Sequence, residues 1–333
     1  MGLRNLSHNG RDRHANTESA TSGRLYKATT HPFVGRIGGN QEFVIDKEHE
    51  DSDRVLSKAP DAAPGMSVSQ QLSLAGFTEL SLWKAAVMEG VGSLFIYITI
   101  WSNISPATIP TAPTDQFGYF DNAAYLGPTT GAIQNFVLLT LFTFVFGVLT
   151  GAHLNPTITI GTFFARLTTF PRMVLYVSFQ TLGGTLAGYL VRAGYGTRDF
   201  KTGGCWLFTG GESQYALYPE GVGRAFSNEF MACLALLFLA FGVGLDPRQQ
   251  KIIPPALSPF LVGLVLGVLS WAFGYSVYGY GGASMNPARC FGTFAGSHFP
   301  GWHWYHWVAS ISASIVHAVF YFLIPPGRSL VAS

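Results

Sequence analysis

Residues 282–292 read Gly-Ala-Ser-Met-Asn-Pro-Ala-Arg-Cys-Phe-Gly, and residues 151–157 read Gly-Ala-His-Leu-Asn-Pro-Thr. In each stretch an Asn-Pro pair precedes an apolar segment of about ten residues, which is too short to cross a hydrocarbon core of ~30 Å. Proline at the first helical position loses no intrahelical hydrogen bond, and asparagine is a favoured cap just before it. The sequence therefore predicts two half-helices, capped by Asn155 and Asn286.

The composition indicates a membrane protein. Of 333 residues, 48% are hydrophobic and only 11% are charged. This charged fraction is less than half that of an average soluble domain. The formal net charge of +2 is too small to indicate binding to nucleic acid. The three separated cysteines form no zinc or redox spacing, so we expect no metal and no cofactor.

Six apolar segments of about twenty residues are long enough to cross a bilayer as helices. One half-helix lies between spans 2 and 3 and the other between spans 5 and 6, so the order is three spans plus one half-helix, repeated. Because each repeat has an odd number of spans, the two repeats have opposite orientations. We predict an all-α membrane protein with six transmembrane helices and two half-helices in an inverted repeat, with repeat 1 at about 83–193 and repeat 2 at about 224–325. The predicted spans are 83–103, 132–150, 172–193, 224–244, 256–275 and 303–325.

The segments outside the spans predict the domain limits and the orientation. Residues 1–78 are rich in charged and small polar residues, which predicts a disordered tail. A channel domain is expected over 79–326 and a short C-terminal tail over 327–333. The connection 104–131 contains no Lys or Arg, which suits the outside of a cell, so both termini are expected in the cytosol.

The paired Asn-Pro motifs, with an arginine shortly after the second, resemble those of the aquaporin (major intrinsic protein) family. The Gly-Gly-Cys run that ends at Cys205, and Cys290 directly after the second motif, resemble the X intrinsic proteins of fungi and plants, and we favour a fungal member. The resemblance implies a passive channel for water and small uncharged solutes. It also implies a homotetramer among membrane lipids. No enzyme activity is expected, because no nucleophile–base pair, phosphate loop or metal set stands at a usable spacing. The plasma membrane is the default location, because the sequence shows no organelle signal. The motif residues are Asn155, Pro156, Thr157, Asn286, Pro287 and Ala288.

The same resemblance identifies a selectivity filter. Arg289 corresponds to the filter arginine, Asn135 to the position on span 2, and Ala283 to the position before the second motif. The position on span 5 is Ser270 if an insertion follows that span and Gly274 if none does, and we prefer Ser270. All of these candidates lack an aromatic ring, which favours a wide filter that admits glycerol, hydrogen peroxide, urea or boric acid beside water.

Two carboxylates lie inside predicted spans. Intramembrane acids are functional candidates, so Glu89 and Glu229 raise the alternative of a secondary transporter for small solutes. In the family, the matching pair accepts hydrogen bonds from the backbone before each half-helix, and we prefer that structural role here. Gln180 is expected to support the same region. His153, at the cytoplasmic pore mouth by resemblance, is expected to line the pore or to support the loop, and gating by its protonation is the alternative.

The resemblance also brings Cys205 and Cys290 to the outer side of the membrane. Oxidation is permitted there, so a disulfide between them is one hypothesis. It would tether the loop between spans 3 and 4 over the pore mouth. Two packed thiols are the other hypothesis, since free cysteine is a common small core residue.

Overall fold

The computed structural model describes residues 53, 56–57, 60–62, 66–105, 123–207, 221–249, 253–254, 256–274 and 280–323. Helices dominate these regions, and two short strands, β1 (Ile104–Ser105) and β2 (Lys201–Thr202), pair antiparallel. The predicted C-terminal tail 327–333 and most of the predicted N-terminal tail lie outside the described residues.

The helices follow the predicted order of three spans plus one half-helix, twice. The helices are α1 (Val68–Leu72), α2 (Leu80–Leu94), α3 (Ile96–Ser102), α4 (Ala123–Thr150), α5 (Pro156–Phe164), α6 (Phe170–Tyr195), α7 (Val222–Ala240), α8 (Ser258–Gly274), α9 (Pro287–Gly296) and α10 (Trp304–Leu323). In the first repeat, α2 and α3 together form the first span, and α5 is the half-helix. In the second repeat, a π-helical segment, Phe241–Leu245, extends α7, and α9 is the half-helix.

Five helical segments in the described part of the chain are long and apolar enough to cross a membrane. The sixth predicted span is α8, which is apolar but has 17 residues. At a rise of 1.5 Å per residue it is about 26 Å long, slightly less than the hydrocarbon core. The outer faces of the spans carry exposed large apolar side chains, such as Ile133, Leu141 and Val145 on α4, as a lipid-facing surface requires. The predicted all-α membrane fold is confirmed.

Each half-helix packs against the third span of the other repeat. Helix α9 packs against α6, and α5 packs against α10. The α6–α9 contact depends on glycine, because a Cβ atom at Gly188 would collide with the carbonyl oxygen of Gly292. This reciprocal exchange joins the two repeats at the centre of the molecule.

The prediction of disorder up to residue 78 is wrong for residues 66–78. Ser67 and Gln70 form a capping box at the start of α1, and a 3-10 helix follows at Leu74–Thr78. Gln71 is buried, and its Nε2 donates to the carbonyl oxygen of Phe163, 2.5 Å away. The composition of the tail was misleading because the channel domain supplies partners for its polar groups.

Candidate functional site

The two asparagines predicted to cap the half-helices lie together at the centre of the fold. The Nδ2 of Asn155 donates to the carbonyl oxygen of Met285 at 2.8 Å, and the Nδ2 of Asn286 donates to that of Leu154 at 3.2 Å. Each side chain therefore bonds the residue that precedes the other asparagine. An amide has two N–H groups, and among the described residues each asparagine has a partner for one of them, which leaves a second donor.

Each asparagine also caps its own half-helix. The Oδ1 of Asn155 accepts from the N–H of Thr157 at 2.9 Å, and the Oδ1 of Asn286 accepts from the N–H of Arg289 at 3.2 Å. Pro156 and Pro287 occupy the first helical positions, as predicted. The N-termini of α5 and α9, which carry partial positive charge, therefore meet at the centre of the fold.

The loops before the half-helices hold residues with strained backbone. Leu154 has φ 49° and Met285 has φ 56°, values that L-residues with large side chains rarely adopt. Two buried carboxylates fix these loops. Glu89 accepts from the N–H groups of His153 at 3.1 Å and Leu154 at 2.6 Å, and Glu229 accepts from those of Ser284 at 2.9 Å and Met285 at 2.7 Å. These contacts are the ones that a structural role requires.

Further side chains bond the carboxylate of Glu89. The Nε2 of Gln180 donates to it at 2.7 Å, and the hydroxyl of Thr150 donates to its other oxygen. The Nε2 of Gln180 also lies 3.0 Å from the hydroxyl oxygen of Thr159, whose Oγ1 is 3.1 Å from the Nδ1 of His153. The ring of His153 is buried and packs edge-on against Tyr176. Its position is therefore fixed by neighbours on two sides.

A cavity of about 680 Å³ runs past both asparagines. Its wall contains the predicted pore-mouth histidine and the predicted filter residues. The predicted residues that line it are Asn135, His153, Asn155, Ser270, Gly274, Ala283, Asn286 and Arg289.

On one side of the predicted filter, Asn135 and Ser270 are partners. The Nδ2 of Asn135 donates to the Oγ of Ser270 at 3.1 Å. Gly274, one helical turn further along α8, packs beside Pro128 and Gly282. This geometry favours Ser270 over Gly274 as the residue at the level of Asn135. The predicted insertion after span 5 falls largely on residues 275–279, which lie outside the described residues.

Arg289, the predicted filter arginine, is buried and bonds three residues. Its Nε donates to the Oγ1 of Thr99 at 3.3 Å, and its Nη2 donates to the carbonyl oxygens of Gly203 at 2.9 Å and Thr99 at 3.4 Å. Its Nη1 lies 3.2 Å from the sulfur of Cys205. Thr99 was missed in the sequence, although Thr99 and Asn103 are polar residues four apart near the end of an apolar span, which was a usable signal.

Cys205 and Cys290 are joined by a disulfide, with Cα atoms 5.1 Å apart. Of the two hypotheses left open, the structure has the disulfide, and it fastens the loop at Lys201–Leu207 to the start of α9. Cys233 is a free, buried cysteine in α7.

A second contact joins the residues just before this loop to the residues just after α9. The Nε2 of His298 and the Oδ1 of Asp199 are 2.7 Å apart, and both side chains are exposed. This hydrogen bond, with a second one from Thr197, lowers the pKa of Asp199 because both stabilise its carboxylate. Arg198 donates to the carbonyl oxygen of Ser297 at 2.9 Å.

Thr157 replaces the alanine that usually follows Asn-Pro in the resembled family. Its hydroxyl lies 2.8 Å from that of Ser310 in α10, and both residues are fully buried. The hydroxyl therefore bonds a neighbouring span and does not face the cavity. Ser310, which satisfies it, was missed by the sequence analysis.

Comparison with known proteins gives a match over most of the chain. Residues 76–321 match the family model described as "Major intrinsic protein". The chain is similar to aquaporin TIP4-3 of Zea mays, with 32% identity over 175 residues, which are 52% of this chain and 62% of that protein. It is also similar to aquaglyceroporin-4 of Botryotinia fuckeliana (strain B05.10), with 26% identity over 85% of this chain and 42% of that protein. An X-ray structure of the aquaglyceroporin from Plasmodium falciparum aligns with 19% identity and a TM-score of 0.48, covering 74% of this chain and 96% of that one.

Proposed function

The chain belongs to the major intrinsic protein family, and from this premise we propose that it is a passive channel for water and small uncharged solutes. One observation carries the proposal: the cavity passes two half-helix N-termini whose asparagines each keep an N–H for a passing oxygen. The positive ends of these helices and the charge of Arg289 oppose the entry of cations. Neutral hydrogen-bonding molecules are the substrates that suit such a wall.

The size of the filter supports solutes larger than water. Asn135, Ser270 and Ala283 line one part of the cavity, and none of them carries a ring. Their polar atoms offer acceptors and donors to a hydroxylated solute beside Arg289. We therefore include glycerol and hydrogen peroxide among the substrates, with urea and boric acid as further solutes of similar size and polarity.

The contacts of the two intramembrane acids favour a channel over a secondary transporter. Both oxygens of Glu89 and both oxygens of Glu229 accept hydrogen bonds from backbone N–H groups. Each carboxylate is therefore tied to its loop through both oxygens, which favours a structural role over the binding of a coupling ion. The roles proposed for Glu89, Glu229 and Gln180 are therefore structural.

The assembly and location complete the proposal. A homotetramer in the plasma membrane, surrounded by lipid and with both termini in the cytosol, agrees with the exposed apolar faces of the spans and with the lack of Lys and Arg in 104–131. The disulfide between Cys205 and Cys290 supports an oxidising environment on the side of the membrane where that loop lies. The presence of Cys205 and Cys290 also agrees with the resemblance to X intrinsic proteins.

Stopped-flow light scattering on proteoliposomes tests the function. Water, glycerol and hydrogen peroxide fluxes are compared for the wild type, Asn135→Phe and Val137→Phe. Val137 lies on the same helix with its side chain 44% exposed on the outer face, so it controls for the added ring. We expect fluxes that are linear with the gradient and that Asn135→Phe alone reduces for glycerol. Saturable flux that depends on a proton gradient would instead identify a transporter.

A further inference from the structure

The guanidinium of Arg289 is bound by Thr99, which is not one of the predicted filter residues. A guanidinium has five N–H groups. The Nε donates to the hydroxyl oxygen of Thr99, and the Nη2 donates to the carbonyl oxygens of Gly203 and Thr99. One N–H of Nη1 points to the sulfur of Cys205. Within the part of the chain that the structure describes, four of the five donors are directed at the protein, and the fifth has no partner there.

The hydroxyl of Thr99 is fixed as an acceptor for Arg289. Its own proton is donated to the carbonyl oxygen of Ile96, 3.0 Å away in the same helix. The lone pairs of the hydroxyl oxygen are consequently free to accept from the Nε of Arg289. If the hydroxyl proton of Thr99 pointed at Arg289 instead, it would face an N–H group of the guanidinium and repel it. The observed orientation presents the hydroxyl oxygen to the cation.

Asn103 connects the acceptors on both sides of the guanidinium. Its Nδ2 donates to the carbonyl oxygen of Thr99 at 2.8 Å, and its own carbonyl oxygen accepts from the N–H of Gly203 at 2.9 Å. The position of Gly204 is equally restricted, because a Cβ atom there would lie 2.9 Å from the Nη1 of Arg289. The arginine is therefore enclosed on the side of α3 and of the loop at Lys201–Leu207.

We propose that Thr99 is a specificity-determining residue of the channel, which holds the guanidinium of Arg289 against the wall formed by α3. Thr99 itself lines the same cavity as the pair formed by Asn135 and Ser270. The width of the filter then depends on Thr99 as well as on the small residues at the other filter positions. This inference rests on the proposed channel function and names the residue that sets its solute range.

Thr99→Val is the direct test, since valine keeps the shape of threonine and removes the acceptor. Within the described residues the Nε of Arg289 bonds only the hydroxyl of Thr99, while Nη2 keeps its bonds to the carbonyl oxygens of Gly203 and Thr99. Without the hydroxyl the Nε is released, and the guanidinium can turn toward solutes in the cavity. We expect the ratio of glycerol to water permeability in proteoliposomes to fall about five-fold, which corresponds to one hydrogen bond of ~1 kcal/mol at 25 °C. Thr99→Ser keeps the hydroxyl and should keep the wild-type ratio.

Thr185→Val is the matched control. Thr185 is half-buried in α6, and its hydroxyl likewise donates to a carbonyl oxygen of its own helix, that of Thr181 at 2.7 Å. It does not line the cavity. A general effect of removing a threonine hydroxyl from a span would appear in both valine variants, whereas the proposal requires a change only at Thr99. If Thr99→Val does not yield monodisperse protein, Thr99→Ala removes the same acceptor without the branched side chain.

The outcomes separate this inference from the proposed function. If the wild type conducts glycerol and the ratio is unchanged in Thr99→Val, or equally reduced in Thr99→Ser, the role of Thr99 is refuted and the channel function stands. If the wild type excludes glycerol, the proposed solute range fails, and Thr99 is judged on water alone. Water permeability per subunit should then fall at least two-fold in Thr99→Val and remain unchanged in Thr99→Ser. An unchanged value would refute the inference.

Discussion

The side-chain amide of Asn155 donates a hydrogen bond to the carbonyl oxygen of Met285, 2.8 Å away in the other repeat. The reciprocal bond from Asn286 to Leu154 makes the two half-helix N-termini depend on one another. The carbonyl groups of Met285 and Leu154 are presented by backbone in the left-handed region, which Glu229 and Glu89 stabilise. The centre of the cavity is thus a cross-linked unit, and its parts can be tested separately.

Asn155→Asp separates the cap of α5 from the donor to Met285. Aspartate is as good an N-cap as asparagine, so the half-helix should still form. The donor is lost, and a carboxylate oxygen then faces a carbonyl oxygen. We expect about a ten-fold loss of water permeability, from ~1–3 kcal/mol of lost and repulsive interaction. Wild-type flux in well-folded Asn155→Asp vesicles would show that the donor is not needed.

Glu229→Gln tests the support of the second loop. Both oxygens of Glu229 accept backbone N–H groups, from Ser284 and Met285, whereas glutamine has a single acceptor oxygen. One buried N–H then faces an NH2 group, which costs ~1–3 kcal/mol. The thermal unfolding midpoint in detergent should fall accordingly. Glu79→Gln is the control, because the side chain of Glu79 makes no capping hydrogen bond, and equal shifts in the two variants would contradict the supporting role.

The half-helices were predictable because their signals are local. Asn155 and Pro156 are adjacent, and the cap, the first helical residue and the short apolar run all lie within one window of sequence. The contact between Arg289 and Thr99 was not predictable, because the two residues are 190 positions apart in the sequence and only the packing of the helices brings them together. No periodicity or spacing reports such a contact. For the same reason the buried partner of Thr157 was found only in the structure.

The folded part of the N-terminal segment was missed for a different reason. A prediction from composition assumes that polar residues are in contact with water. Asp61 and Arg172 are instead both almost fully buried, and the Nε of Arg172 lies 2.9 Å from the Oδ2 of Asp61 in an ion pair. Arg172 also donates to the hydroxyl of Tyr176 at 3.0 Å, and that hydroxyl donates to the carbonyl oxygen of Thr150 at 2.8 Å. The segment is therefore connected by hydrogen bonds to the end of α4, next to the pore loop.

Asp61→Ala should release this segment. The substitution leaves the charge of Arg172 buried without its partner, which costs ~3–5 kcal/mol when the site stays closed. Detachment avoids that cost, so amide hydrogen exchange across residues 66–78 should accelerate while exchange in α6 stays slow. Asp53→Asn, a change at an exposed acid in the same part of the chain, is the control. Unchanged protection of 66–78 in Asp61→Ala would show that Gln71 and the helix caps suffice to hold the segment.

The contact between Asp199 and His298 predicts a dependence on acid. Because the pKa of Asp199 is lowered in the folded protein, its ionised form adds stability above the ordinary aspartate value of about 3.9, and that stability is lost as the pH falls through the lowered pKa. Arg198 and Lys201 are the other charged side chains of residues 197–202. The unfolding midpoints of the wild type and Asp199→Asn should differ at pH 5 and converge as the pH falls through the lowered pKa of Asp199. A difference that persists after Asp199 is protonated would contradict the assignment.

The disulfide predicts a measurable link between the loop and the second half-helix. Digestion without reduction should yield one cross-linked species containing Cys205 and Cys290, and reduction should separate it into two peptides.

Cys205→Ser should lower the free energy of unfolding by ~2–4 kcal/mol, because the bond closes a long loop of chain in the unfolded state. It should also alter solute selectivity, since the sulfur of Cys205 lies 3.2 Å from the Nη1 of Arg289. Cys233→Ala is the control for loss of a buried sulfur elsewhere. Both peptides recovered with free thiols from unreduced protein would exclude the link, and Arg289 would then depend on Thr99 and Gly203 for its position.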